Sequence, residues 1–394
     1  MRLNRDKNGA LFLRRGDDVP DGSDGGAEMT RDRTIRRGGW RIKVLLLLLS
    51  AFLCIVSAEV TARAFWSLSY GVPFRDPGRI LYAYYPELRR VDGERPTHGD
   101  KFYDILFLGG STLHRDFSQV EQVLLEELAY KGHRNVRIFN LAMTSHTSRD
   151  SWIKYGALGA ARFELVLFYD GINETRANNA PPEIFREDYS HYSWYEDVNM
   201  LASYHGTASF ALPYTLRHLV NQMRRHLTKD SYVPINMPRK DWVQYGRDSR
   251  SAVSFKHNLS AIIELARRRG DGLLLTTFAT YVPKDYSLES FLKKSLDYGL
   301  HLYSFRMWGA REHVLETVAV QNEIVRSLAA QHEGVLFVDQ ANLMAGFPRY
   351  FNDPCHFTVV GSSIFVQHLL RVLLPRLENG KAAGATAGDA QGSL

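Results

Sequence analysis

Five short apolar runs, at 105–108, 136–141, 165–169, 273–278 and 335–338, recur along the chain, interleaved with longer segments of helical patterning. Runs this short and this largely apolar describe strands buried on both faces. The segments 118–131, 148–161, 249–269, 311–332 and 359–374 read as the helices between and after them. Strand–helix alternation of this kind predicts an α/β domain whose parallel sheet is covered on both sides. With 394 residues, 45% of them hydrophobic, the chain has ample material for such a core. The same composition excludes wholesale disorder and a polytopic membrane protein.

Two stretches break the rhythm. Residues 176–247 are rich in Tyr and His, as in DYSHYSWYEDV, and a second aromatic segment, 281–308, follows the fourth strand. Insertions after strand C-termini sit over the ligand crevice of such sheets, so the long insertion reads either as a lid or as an added packing layer.

The net charge of +6 is unevenly spread. Residues 1–43 hold eleven Lys or Arg against seven Asp or Glu, so this arm carries +4 and the other 351 residues only +2. A nearly neutral domain argues against nucleic acid as a partner. Directly behind Arg31, Arg33, Arg36, Arg37, Arg41 and Lys43 comes VLLLLLSAFLCIVSA, residues 44–58, with no charge. A basic flank before an apolar run is a membrane-targeting pattern oriented by the positive-inside rule. As an anchor, the helix runs over 44–66, with Glu59 and Arg63 near the far interface and Phe65 and Trp66 as an aromatic belt. As a signal peptide, it would be cut after Ala58. Either way the domain is expected outside the cytoplasm, periplasmic or on the cell surface, and the anchor makes the protein single-pass. The expected organisation is a disordered basic arm at 1–43, the anchor, an extended connector at 67–100, the domain at 101–378 and a disordered tail at 379–394. Cys54 and Cys355 lie too differently placed to form a disulfide, and no residue spacing suggests a metal or cofactor site.

Three motifs at predicted strand ends could carry chemistry. FLGGST, 107–112, ends a strand in two glycines and puts Ser111 at a helix start, where its own N–H could face an anion. FYDGINE, 168–174, offers the Asn173 amide as a donor to a developing oxyanion. NDPCHFT, 352–358, spaces Asp353 and His356 so that the carboxylate can hold one imidazole nitrogen while the other faces a nucleophile. Each alone is equally an ordinary turn or helix cap. Cys355 reads as a structural thiol, and His146 as a polar loop residue beside the site.

Together, in the order Ser, Asn, Asp-His, the motifs resemble those of the GDSL-type or SGNH hydrolases over roughly 103–375. The resemblance implies a three-layer α/β/α domain of flavodoxin-like topology and ester hydrolysis without metal or cofactor. It assigns Ser111, His356 and Asp353 as the triad, with Ser111, Ser145 and Asn173 as the oxyanion hole. Thr358 and Gly361 also fit the third block. Two positions depart from the pattern: Gly110 stands where the family commonly has Asp, and Ser145 where it has a glycine. The expected substrate is an ester, an acylated glycan or lipid of the cell envelope. Acyl transfer to a polysaccharide, or glycan binding without catalysis on the same scaffold, are the other readings. Oligomeric state is not legible.

Overall fold

The computed structural model describes residues 32–228 and 237–389; the arm before 32, the stretch 229–236 and the last residues from 390 lie outside the described residues. The chain forms two compact units, Met1–Ser57 and Ala58–Leu394. Helix α1, Asp32–Tyr70, begins in the first, so helix replaces the expected disorder from Asp32 onward. Arg, Ile and Lys are compatible with helix, and the apolar run that follows extends it. Its segment Trp40–Tyr70 is long and apolar enough to cross a membrane, with mean hydropathy reaching 2.4. Leu45, Leu47, Phe52 and Ile55 are exposed along it.

The second unit is built on five parallel strands: β1 Tyr103–Gly109, β2 Val136–Asn140, β3 Leu165–Tyr169, β4 Leu273–Thr276 and β5 Leu336–Val338. Their order is β2-β1-β3-β4-β5, the flavodoxin-like arrangement. The helices are α2 Leu88–Glu94, α3 Val120–Tyr130, α4 Ser148–Ala157, α5 Ser193–Ala202, α6 Leu212–Leu227, α7 Ser251–Arg269, α8 Leu288–Leu292, α9 Arg311–Gln331, α10 Gln340–Leu343 and α11 Val359–Asp389. Because successive strand side chains point to opposite faces, β1 divides its residues between two cores. Ile105 and Phe107 pack with Leu124 of α3 and Phe365 of α11. Leu106 and Leu108 pack with Ile153 of α4 and Phe255 and Leu259 of α7. The result is the expected three-layer sandwich.

The register sets up the site. Phe107 pairs with Asn140 and Gly109 with Tyr169, so β1, β2 and β3 end side by side. The turns after them fall at the topological switch point between β1 and β3.

Several boundaries differ from the sequence reading. The segment at 67–100 is no extended connector: a 3₁₀ turn, Pro77–Ala83, and α2 bury Ile80, Leu81, Tyr85, Leu88 and Val91 in the same core as Leu106. Its apolar residues come in short clusters that only a turning chain can bring to one side. The aromatic belt also fails at Trp66, which is 1% exposed and donates through Nε1 to Thr215 Oγ1 at 2.8 Å. Glu59 accepts from the first N–H groups of α6, Ala211 at 2.9 Å and Leu212 at 2.8 Å, and pairs with Arg63 at 2.6 Å. The last turns of α1 therefore belong to the folded unit. At the other end α11 continues to Asp389 past the expected start of a disordered tail at 379, through a run rich in helix-favouring alanine.

Trp66→Ala should lower the stability of the folded unit by about 3–5 kcal/mol, the cost of emptying a large aromatic site. Leu47→Ala, in the exposed run, should leave the melting temperature unchanged. Thermal unfolding of the two variants in detergent checks this; equal small effects would return Trp66 to a lipid-facing role.

Candidate active site

Strand β1 ends at Gly109, and Ser111 opens a 3₁₀ turn, Ser111–Leu113. The first N–H groups of such a turn have no partner within it, which leaves the Ser111 N–H available to an anion. A Cβ at Gly110 would stand 2.8 Å from Asn173 Nδ2 and 3.3 Å from the His146 carbonyl. Glycine is needed at this position because the Asn173 amide lies against it. The carboxylate of Asp170 lies nearby, 3.9 Å from the same point.

The structure brings Ser111, His356 and Asp353 together. Ser111 Oγ is 2.8 Å from His356 Nε2, and His356 Nδ1 is 2.7 Å from Asp353 Oδ2. The turn before α11 fixes the pair: Asp353 Oδ1 accepts from the N–H groups of Cys355 at 2.9 Å and His356 at 2.8 Å. The Tyr303 N–H adds a third, at 3.2 Å to Oδ2. With its lone pairs so occupied, the carboxylate holds Nδ1 protonated and leaves Nε2 to accept from the serine. The imidazole is 1% exposed, with the rings of Phe117 and Tyr303 at 5.1 and 5.5 Å. Tyr303 comes from the second aromatic segment, which thus walls the site.

Asn173 is oriented by its oxygen. Oδ1 accepts from Arg176 at 2.8 Å and from Trp308 Nε1 at 3.1 Å, which fixes Nδ2 on the opposite side. One Nδ2 hydrogen bonds the His146 carbonyl at 2.9 Å; the amide has a second. Arg176 and Trp308 went unnoticed in the sequence. Arg176 follows the G-x-N motif at the i+3 spacing of a helical turn, a signal that was present; Trp308 arrives from 135 residues away with none.

Ser145, at the family's glycine position, has φ of +65°. That left-handed conformation is what glycine tolerates freely and costs an L-residue roughly 1–2 kcal/mol. The loop is held in it from behind. Lys154 of α4, fully buried, donates to the Leu141 carbonyl and to His146 Nδ1 at 2.9 Å. Glu87 Oε1 is 3.4 Å from the ammonium. His146 is a loop residue, as read from the sequence, but a buried one: it is 8% exposed, and burial pushes its pKa down to about 3, so the ring is neutral. Cys355 is structural, as expected: it is fully buried, and burial raises its thiol well above the ordinary range. Asp353, Cys355 and His356 have potential ligand atoms within 4.8 Å of one another, but the carboxylate and imidazole are engaged with each other and the thiol is held protonated.

Two cavities meet here. One, of about 240 Å³, is lined by Ser111, His356, Phe117, Tyr303 and Met307. The other, of about 380 Å³, lies on the Asn173 and His146 side; Thr144, Ser145 and Arg176 line both. The long insertion serves as packing and wall at once: Tyr189, Tyr192 and Tyr195 form a small core with Trp242, and the three tyrosines also line the larger cavity.

Behind Asn173, Glu174 accepts from the Ser148 N–H at 2.5 Å and from the Tyr189 hydroxyl. Burial raises its pKa to about 8 from an ordinary 4.5. Between these values the unfolded chain has released the proton that the folded chain keeps, so stability falls as pH rises across this interval. Melting temperatures measured from pH 6.5 to 8 should therefore drop more steeply in the wild type than in Glu174→Gln; parallel curves would show that Glu174 is ionised throughout.

No protein-family model matches the sequence, and no curated protein is significantly similar to it. Among solved structures the chain is similar to a lipase/acylhydrolase from Enterococcus faecalis, with 14% identity, 70% of this chain and 97% of that one covered and a TM-score of 0.38. It is similar to a GDSL-like lipase from Bacteroides thetaiotaomicron at 12% identity, 74% and 99% coverage and a TM-score of 0.39. An acetylxylan esterase from Geobacillus stearothermophilus follows at 15% identity, 70% and 94% coverage and a TM-score of 0.36. At this level of similarity the chemistry must be read from the side chains of the site itself.

Proposed function

We propose that this chain is a membrane-anchored serine esterase that cleaves a carboxylic ester through Ser111. The observation that carries this reading is the continuous relay from Asp353 Oδ2 to His356 Nδ1, 2.7 Å, and from His356 Nε2 to Ser111 Oγ, 2.8 Å. Ser111 Oγ attacks the ester carbonyl carbon as its proton passes to His356 Nε2. Asp353 stabilises the resulting imidazolium and keeps the ring in place. The carbonyl oxygen, now negative, takes hydrogen bonds from the N–H groups of Ser111 and Ser145 and from Asn173 Nδ2. His356 then protonates the leaving alcohol, and water, activated by the same imidazole, releases the acid from Ser111.

The exposed apolar stretch of α1 supports the anchor, since a helix of about 20 apolar residues spans a bilayer core of about 30 Å. The basic residues before it favour the cytoplasmic side, which makes the esterase unit extracytoplasmic, facing acylated glycans or lipids of the cell envelope.

With p-nitrophenyl esters as substrate, Asn173→Ala should lower kcat by about 10²–10³-fold, the usual cost of one oxyanion donor. Ser111→Ala should lower kcat by about 10⁶-fold, the usual cost of losing the nucleophile, with an unchanged melting temperature. Wild-type rates in Ser111→Ala would reject the mechanism.

A further inference from the structure

We infer that the 380 Å³ cavity beside Asn173 is an acyl-chain pocket, and that the enzyme prefers esters of medium-length acids to acetate; this rests on the esterase reading above. His356 must protonate the departing alcohol, so the alcohol lies on the side lined by His356, Phe117 and Tyr303. The carbonyl carbon carries its acyl substituent away from that side. The second cavity opens there: Asn173 and Ser145 line it, whereas Ser111 and His356 do not. Its wall is mainly apolar, with Tyr84, Pro86, Met143, Ala177, Tyr192 and Trp194 offering an alkyl chain burial, and Thr144, Thr147 and Arg176 add polar groups. Three polar groups of the walls are engaged outside the cavity: the Tyr84 hydroxyl with Asp197 at 2.8 Å, the Tyr195 hydroxyl with Asp150 at 2.5 Å and the Trp194 Nε1 with Asp150 at 3.1 Å, whereas the buried Tyr192 hydroxyl has no hydrogen-bond partner among the described residues. The volume falls in the range of about 300–1,000 Å³ typical of small-molecule sites, far more than an acetyl group fills. Most of the wall comes from the 67–100 segment and the insertion.

The full-length protein in nanodiscs, assayed with p-nitrophenyl acetate and octanoate, should show kcat/KM at least tenfold higher for octanoate. Met143→Trp and, deeper, Ala177→Leu narrow the cavity and should lower the octanoate-to-acetate ratio at least tenfold. Hydrolysis with acetate preferred, or a ratio unmoved in both variants, overturns the pocket and leaves the esterase standing. If no ester is cleaved, the esterase reading falls, and calorimetric titration with sodium octanoate against empty nanodiscs still decides the pocket: saturable binding weakened in Met143→Trp supports it, and no binding overturns it.

A separate observation concerns α6. Leu216, Leu219, Val220, Met223 and Leu227 fall at i, i+3, i+4, i+7 and i+11, one stripe of the helix, and are 50–83% exposed. Tyr214 and His218 bury the other side, where both rings meet Trp66 of α1. The start of α6 is held by Glu59, the residue that follows the apolar run at 44–58. We propose that α6 lies in the membrane interface with this stripe among the lipid acyl chains, given the anchor reading. The occupant is lipid because the helix is tied to the point where the chain leaves the apolar run.

In a Cys54→Ser background, bimane at Leu219→Cys should be quenched at least twofold by spin-labelled lipids in nanodiscs, and bimane at Tyr130→Cys should not. Equal quenching of both sites by aqueous iodide overturns the proposal. Bimane on native Cys54 tests the anchor separately, since its escape from lipid quenching would overturn the anchor alone.

Discussion

The loop that carries Ser145 is held by two buried charges on one helix, and the geometry of the candidate site depends on them. Lys154 fastens the Leu141 carbonyl and the His146 ring. One turn earlier Asp150 accepts from the Thr147 N–H at 2.8 Å and from the hydroxyls of Tyr85 and Tyr195 at 2.7 and 2.5 Å. Both side chains are fully buried. Burying an ion is costly unless its partners are complete, and removal of one partner strands the other. That constraint explains why Tyr85 and Glu87 from the 67–100 segment and Trp194 and Tyr195 from the insertion converge on α4. They complete the shells of Asp150 and Lys154, and so fix the backbone of the loop that carries Ser145.

The same construction repeats at Asn173. Its amide faces Gly110 only because Arg176 and Trp308 claim its oxygen, and the close approach in turn requires a residue without a side chain at 110. The two departures from the family pattern have different physical content. Gly110 is required by the approach of an amide. Ser145 takes up glycine's backbone conformation at a cost that the anchored loop offsets.

The core and the Ser111–His356–Asp353 cluster were legible because their signals are local. Continuous apolar runs such as LVLFY mark buried strands, and their order with the helices yields the layers. Ser111, Asn173 and the Asp353–His356 pair each sit in a short motif beside a strand or helix end. The supports were not legible, since each depends on contacts across the chain: Lys154 reads as a surface charge on a helix, Tyr85 as part of a connector, and Trp308 as one aromatic among many. Trp66 misled for the same reason. Next to an apolar helix it looks like a membrane-interface residue, and only the fold reveals that Thr215 and the rings of α6 surround it.

The most direct test of the account is the site of covalent capture. Full-length protein treated with a fluorophosphonate should gain one adduct, mapped by peptide mass spectrometry to Ser111 and absent in His356→Ala. An adduct on another residue, or no adduct on folded wild-type protein, would contradict it.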